Sequence, residues 1–329
     1  MAEPVLIDWN EDKRAEFRNG VMTARHRLHL APEFTDLALA ALLKRHPREL
    51  CDFCTMGEDP ADRDSWRAGD PGAATSAELL EAVRQGRLWI NLREAMNTDP
   101  VYKPLFNALF AQLKQLNPGY APLRVYGGIL ISSPKAQVFY HSDVSETLLL
   151  HVKGHKRFRI YPPRGPWLED LSMEEVLHKT QTEDIPYDPA WDADAAMVDL
   201  TPGDFVSWPL HAPHRVENLD GLNVSITCEV VTRESVMKNA VLHANGALRR
   251  MGFRPKSSSP EGAQAYAKLA LSKSWKAWKK VSGAASRPLP KSETTFDVDL
   301  ASDTGYRDRA GLISAPATKK SVGGRRAAR

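Results

Sequence analysis

The chain has 329 residues, 42% of them hydrophobic, and three cysteines. This suits one medium-to-large soluble domain with appendages and excludes a disulfide framework. No apolar run is long enough for a membrane-spanning helix, and MAEPVLIDWN at the start lacks both the basic beginning and the apolar core of a secretory leader, so the expected compartment is the cytoplasm. The net charge of +3 hides an uneven distribution. Residues 249–329 carry 18 Lys and Arg against 6 Asp and Glu, a net of +12, which leaves −9 on residues 1–248. An acidic body bears a basic tail.

Residues 1–85 read as an N-terminal region of helices and loops. Thr35 precedes LALAALLKRH, and Thr75 with Glu78 precedes an apolar run stopped at Gly86, so two capped helices are expected. Residues 87–93, RLWINLR, alternate strictly, with Leu88, Ile90 and Leu92 on one face and Trp89, Asn91 and Arg93 on the other, as in a half-buried strand. Residues 101–116 return to helical periodicity. From 123 to 231 short β-branched runs (124–132, 137–140, 147–152, 157–161, 205–208 and 222–231) are separated by turn signals, which favours a barrel or sandwich. Residues 164–200 form an insert with ten Asp and Glu against one Arg and one Lys. Helical patterns resume at 234–251 and 261–281. Residues from 283 onward, rich in Ser, Ala, Gly, Pro and charge, read as a disordered tail.

His141 and Asp143 end the strand-like run VFYHSD. Residues i and i+2 of a strand project to the same face, so this imidazole and carboxylate can reach one metal. A second imidazole from a later strand completes a two-His, one-carboxylate set, the arrangement of non-heme Fe(II) oxygenases. The candidate is His214, in WPLHAPHRV after the turn Pro202-Gly203-Asp204; His211, three residues earlier, is its rival. An HxD tripeptide alone is weak, because a surface His beside an Asp is common.

The wider pattern resembles the JmjC-type (cupin-like) Fe(II)/2-oxoglutarate-dependent oxygenases, the asparaginyl hydroxylase of hypoxia-inducible factor and its bacterial relatives in particular. The resemblance rests on HSD at 141–143, on VKGHKRFRIYPP at 152–163, and on GDFVSWP at 203–209 followed by His214. It covers roughly residues 86–232. It implies a double-stranded β-helix (jelly-roll, cupin/JmjC) barrel at 86–232, with the N-terminal helical cap at 1–85, a C-terminal helical pair at 233–282 and the basic tail at 283–329. It implies Fe(II) held by His141, Asp143 and His214, with 2-oxoglutarate and O2 as co-substrates.

Lys156 falls where the family holds the far carboxylate of 2-oxoglutarate, and a point-charge ammonium suits that task; the plain alternative is a solvated turn lysine. Thr147 takes the place of a polar co-substrate neighbour, and Tyr126 is a further candidate for the far carboxylate. Ser225, Thr227 and Glu229 share one face of the last strand, so Ser225 and Thr227 border the metal pocket if that face lines it. Three departures from the pattern, Val138, Glu229 and Ala212-Pro213, leave the triad intact and put the 2-oxoglutarate contacts and the substrate in question.

The reaction so implied hydroxylates a protein side chain or small metabolite and releases succinate and CO2; attack at a carbon bound to nitrogen gives demethylation instead. The alternatives are a non-redox metal-binding cupin (isomerase or sensor), which has no need of Lys156, and an inactive fold serving as an interaction module. The pair Cys51 and Cys54 lacks the second pair a structural zinc requires. The helix at 266–281, with Tyr266, Trp275 and Trp278 among lysines, can lie on an anionic membrane, pack on its own domain or meet a second subunit; the resemblance implies a homodimer through the C-terminal helices. Lys319, Lys320, Arg325 and Arg326 accompany no nucleic-acid module, so nucleic acid is not expected as a partner.

Overall fold

Thr35 and Thr75 accept backbone N–H groups that begin two helices, and Glu78 completes a capping box with Thr75. These local signals set the N-terminal elements in the computed structural model, which describes residues 3–283 and 293–309. Helix α1 (Glu11–Glu16) leads to strand β1 (Met22–Arg25), and α2 (Asp36–Arg45) to β2 (Cys51–Thr55) and β3 (Arg67–Asp70). Helix α3 (Ser76–Gln85) then precedes β4 (Trp89–Leu92), followed by α4 (Ala95–Thr98) and α5 (Lys103–Leu116). Strands β5 (Arg124–Ser132), β6 (Gln137–His141) and β7 (Glu146–Ile160) come next, then α6 (Asp170–Leu177), β8 (Ala196–Leu200) and β9 (Asp204–Ser207). Strand β10 (His214–Val231), helices α7 (Arg233–Arg250) and α8 (Gly262–Val281), and strands β11 (Thr294–Val298) and β12 (Tyr306–Asp308) complete the order.

The expected barrel is not what forms. The strands hydrogen-bond as one mixed sheet in the order β1-β9-β7-β10-β5-β4-β2-β3-β11-β12, with β6 on β10 and β8 on β7. β1 and β12 end this path and do not pair with each other, so the sheet stays open. The edges that closure would join are occupied by other strands: β9 is continued by β1, and β5 by β4, β2 and β3. Period-two alternation states which face a side chain takes, not which strand meets its edge.

Three of the added strands lie in residues 1–85, and two more in the stretch that reads as tail. Phe296 of β11 is fully buried against Gly69, where a Cβ would lie 2.1 Å from the Phe296 ring. The tail residues Lys319, Lys320, Arg325 and Arg326 lie outside the described residues.

β7 and β10 pair along their whole length, through what reads as turns at Lys153-Gly154 and Asp220-Gly221. The register shifts there instead of breaking, and Gly154 (φ 76°) and Gly221 (φ 65°) take left-handed backbone that a side chain would strain.

The sheet's two faces differ in chemistry. Ile90, Leu92, Ile129, Ile131, Leu148, Leu150, Val224, Ile226 and Cys228 pack against Leu79 and Val83 of α3 and Phe106, Leu109 and Leu113 of α5. Each such buried side chain stabilises the fold by roughly 1.5–3 kcal/mol. The alternate residues, among them Tyr126, Leu130, Thr147, Leu149, Ser225, Thr227 and Glu229, share the opposite face, as the cross-strand register requires. This second face carries the site. No described helix is long and apolar enough to cross a membrane.

Candidate metal centre

β6 ends at His141 and β10 begins at His214, and the two are register partners. Their rings lie 4.1 Å apart between centroids. Asp143, just past β6, places one carboxylate oxygen 3.6 Å from His141 Nε2 and the other 3.6 Å from His214 Nε2. The three ligand atoms fall within 4.8 Å of one another, and they form the one such group among the described residues. Cys51 and Cys54 belong to no such group among these residues.

His141 Nδ1 donates to the carbonyl of Phe139 (2.7 Å) and His214 Nδ1 to that of Ala212 (3.1 Å). A proton fixed on Nδ1 leaves the Nε2 lone pair for a metal. Burial of His214, then the neighbouring His141, pushes its pKa down to about 4, so the ring is neutral as a ligand must be. Trp208 packs on this ring at 4.7 Å and Phe158 stacks at 6.3 Å. Two imidazoles and one carboxylate converging from one side are a donor set that suits Fe(II). His211 is turned away: its Nε2 lies 2.7 Å from Asn239 Oδ1 on α7.

Lys156 lies four residues along β7 from Ile160, the register partner of His214, and on the same face. It is 4% exposed, and burial alone pulls its pKa down to about 7. Among the described residues, no carboxylate and no hydrogen bond offsets that burial. Around it are Trp89, Leu130, Ser132, Gln137, Leu149 and Phe158, with Asn218 directly across the ladder. Asn218 donates to Ser132 Oγ (2.8 Å) and to the carbonyl of Ser133 (2.7 Å). Sequence reasoning missed Asn218 and Gln137; the available signal was that Asn218 lies four residues after His214, on its face of the strand.

The other candidates are placed apart from this pocket. Tyr126 and Thr227 line a second cleft with Asn91, Arg93, Glu94 and Glu229. Thr147 is the register partner of Glu229, and its hydroxyl donates to the carbonyl of Ser145 (3.5 Å). Ser225 is fully buried and hydrogen-bonded to His151 Nδ1 (3.0 Å).

Desolvation, then Asp143 and Glu94, raises the Glu229 carboxyl above its ordinary range. The acidic insert reaches the metal motif as well. His141 bridges to Asp184, and Ser142 N–H donates to the carbonyl of Glu183 (3.1 Å). The Glu183 carboxyl is raised too: surrounding protein strips its water, and Asp143 lies nearby. The insert is held behind both ligand strands by Asp192, which accepts from Arg215, Tyr161 and Tyr187, while Tyr187 stacks on Tyr140 at 5.0 Å.

Against known proteins, a family model described as the JmjC domain matches residues 123–236, a segment that includes the triad and Lys156. Similar solved structures include the X-ray structure of Escherichia coli YcfD (14% identity, TM-score 0.48, covering 84% of this chain and 69% of that one). Another is that of YcfD, a ribosomal oxygenase from Escherichia coli, in complex with cobalt and 2-oxoglutarate (14% identity, TM-score 0.47, covering 89% and 74%). No curated protein matches the chain. The JmjC match carries the broad likeness read from the motifs and does not single out the asparaginyl hydroxylase within it.

Proposed function

We propose that the protein is an Fe(II)/2-oxoglutarate-dependent dioxygenase that hydroxylates a protein side chain or a small metabolite and releases succinate and CO2. The observation that carries this reading is the buried ammonium of Lys156, unpaired among the described residues, on the face that bears the triad. An ionised group in an apolar site without a partner is destabilising unless a ligand supplies the counter-charge. Four residues of strand separate Lys156 from the level of His214, about 13 Å, which an extended lysine and a five-carbon dicarboxylate together span.

Iron with 2-oxoglutarate and O2 supplies the coupling of oxidative decarboxylation to oxidation of a C–H bond. The chain's share is to hold and shield. His141, Asp143 and His214 bind the metal, Lys156 fixes the far carboxylate, and Phe158 and Trp208 exclude water from one side of His214. The carboxylate of Glu229 near Asp143, with Glu94 in the same cleft and the acidic insert, favours a substrate that carries positive charge. Tyr266 and Trp278, 67% and 55% exposed on α8, offer a surface for a second copy of the chain.

The test is succinate formation from 2-oxoglutarate by the Fe(II)-loaded protein across a panel of basic peptides and amines. Metal binding without succinate formation under any condition favours the non-redox cupin instead.

A further inference from the structure

Asp143 lies in a segment without regular structure, residues 142–145, so no ladder of backbone bonds holds the anionic ligand in place. Beside the Ser142 N–H bond to the Glu183 carbonyl, three side-chain hydrogen bonds do so. Ser142 Oγ donates to the carbonyl of His211 (2.9 Å), Asn239 Nδ2 donates to the carbonyl of Val144 (2.6 Å), and Asn239 Oδ1 meets His211 Nε2 at 2.7 Å. The Val144 carbonyl can only accept, which fixes the orientation of the Asn239 amide. Its oxygen therefore faces His211, and the ring nitrogen must donate. The circuit closes from Ser142 through His211 and Asn239 to Val144, the two residues that flank Asp143.

His211 itself takes left-handed backbone, at φ 66°. For a residue with a side chain this conformation persists where its surroundings over-determine it. Here it allows one residue to present its carbonyl to Ser142 and its ring to Asn239 together. Asn239 stands on α7, beyond the JmjC-matched residues.

We propose that Asn239 and His211 are positioning residues that set Asp143 against His141 and His214, so that a residue of helix α7 beyond the matched segment completes the metal centre. The inference rests on the metal-centre reading above, and a direct metal measurement separates the two. The apoprotein is titrated with Co(II), following affinity and the cobalt absorption bands, with thermal unfolding in parallel. Asn239→Ala and His211→Ala should each weaken Co(II) binding about 10- to 100-fold, the usual effect of losing a group that orients a ligand, and should alter the bands. The double variant should be little worse than either single one, because one break opens the circuit.

Asn245→Ala, on the same helix but bonded to the carbonyl of Ser257 (3.1 Å), should lower thermal stability and leave Co(II) binding unchanged. If Asn239→Ala fails to fold, Ser142→Ala opens the same circuit with a smaller change and should show the same loss. Parent-like Co(II) affinity and bands in the folded variants overturn the clamp alone. A parent protein that binds no Co(II) overturns the metal centre and the clamp with it.

Discussion

The Lys156 pocket and the Glu229 cleft lie on the same face of the sheet and hold opposite charges that do not pair. Lys156 is enclosed and, among the described residues, without an anion. Glu229 lines an open cleft, where loss of water, then Asp143 and Glu94, raise its carboxyl. A fold selected for stability alone would neutralise both. Leaving each unpaired weakens the empty protein and prepares one end for an anion and the other for a cation, with the triad serving both.

The largest expected effect tests what the two ends share. Parent protein should bind one Fe(II) per chain. His141→Ala, Asp143→Ala and His214→Ala should each abolish turnover and Fe(II) binding, whereas His211→Ala weakens the site without emptying it. Normal activity in Asp143→Ala removes the anionic ligand from the account.

At the Lys156 end, Lys156→Ala should raise the 2-oxoglutarate requirement at least about tenfold. A charge-assisted hydrogen bond contributes roughly 1.5–3 kcal/mol, and each 1.4 kcal/mol is about a factor of ten. Fe(II) affinity without 2-oxoglutarate should barely change. Lys153→Ala is the control, since its ammonium pairs with Asp36 at the surface (2.6 Å). If both variants take up 2-oxoglutarate as the parent does, the contrast between the two ends is gone.

The same burial predicts a pH dependence. With the free-protein pKa lowered to about 7, Lys156 is charged below that pH and increasingly neutral above it. The carboxylate needs the ammonium, so binding above about pH 7 must take up a proton, and 2-oxoglutarate affinity should fall as pH rises. The slope should vanish in Lys156→Ala. In the empty protein the sign is reversed: Lys156→Met replaces an uncompensated buried charge by an apolar chain of similar length. It should melt about 2–4 °C higher, the shift that ~1 kcal/mol produces in a large domain.

The smallest effect belongs to the acidic end. Turnover at low substrate should decline as salt rises, because screening weakens the pull on a cationic substrate, and Glu229→Gln should flatten that decline. A preferred anionic substrate would remove this half of the comparison.

What the sequence revealed was local. The caps at Thr35 and Thr75, the alternation of residues 87–93 and the i, i+2 spacing of His141 and Asp143 each depend on a few neighbouring residues. The closure of the sheet did not, because it depends on which strands meet the edges of β9 and β5. The continuity of β7 through Gly154 was hidden by a turn-like sequence that is a register shift between paired strands. β11 was hidden by composition, although Phe296 and Val298 alternate within it. Asn239 gave no signal at all, because its partners at Val144 and His211 are distant in sequence and one of them is a backbone carbonyl.

That late strand bears on how the chain is completed during synthesis. β3 and β11 run parallel, and Thr295 bonds to the carbonyl of Ala68 across 227 residues of sequence. Until residue 296 leaves the ribosome, β3 has an open edge and an empty socket over Gly69. An unpaired edge is a template for a neighbouring chain. A truncation before Thr294, made to remove what looks like a dispensable tail, should therefore leave a protein that retains its metal ligands and associates through β3.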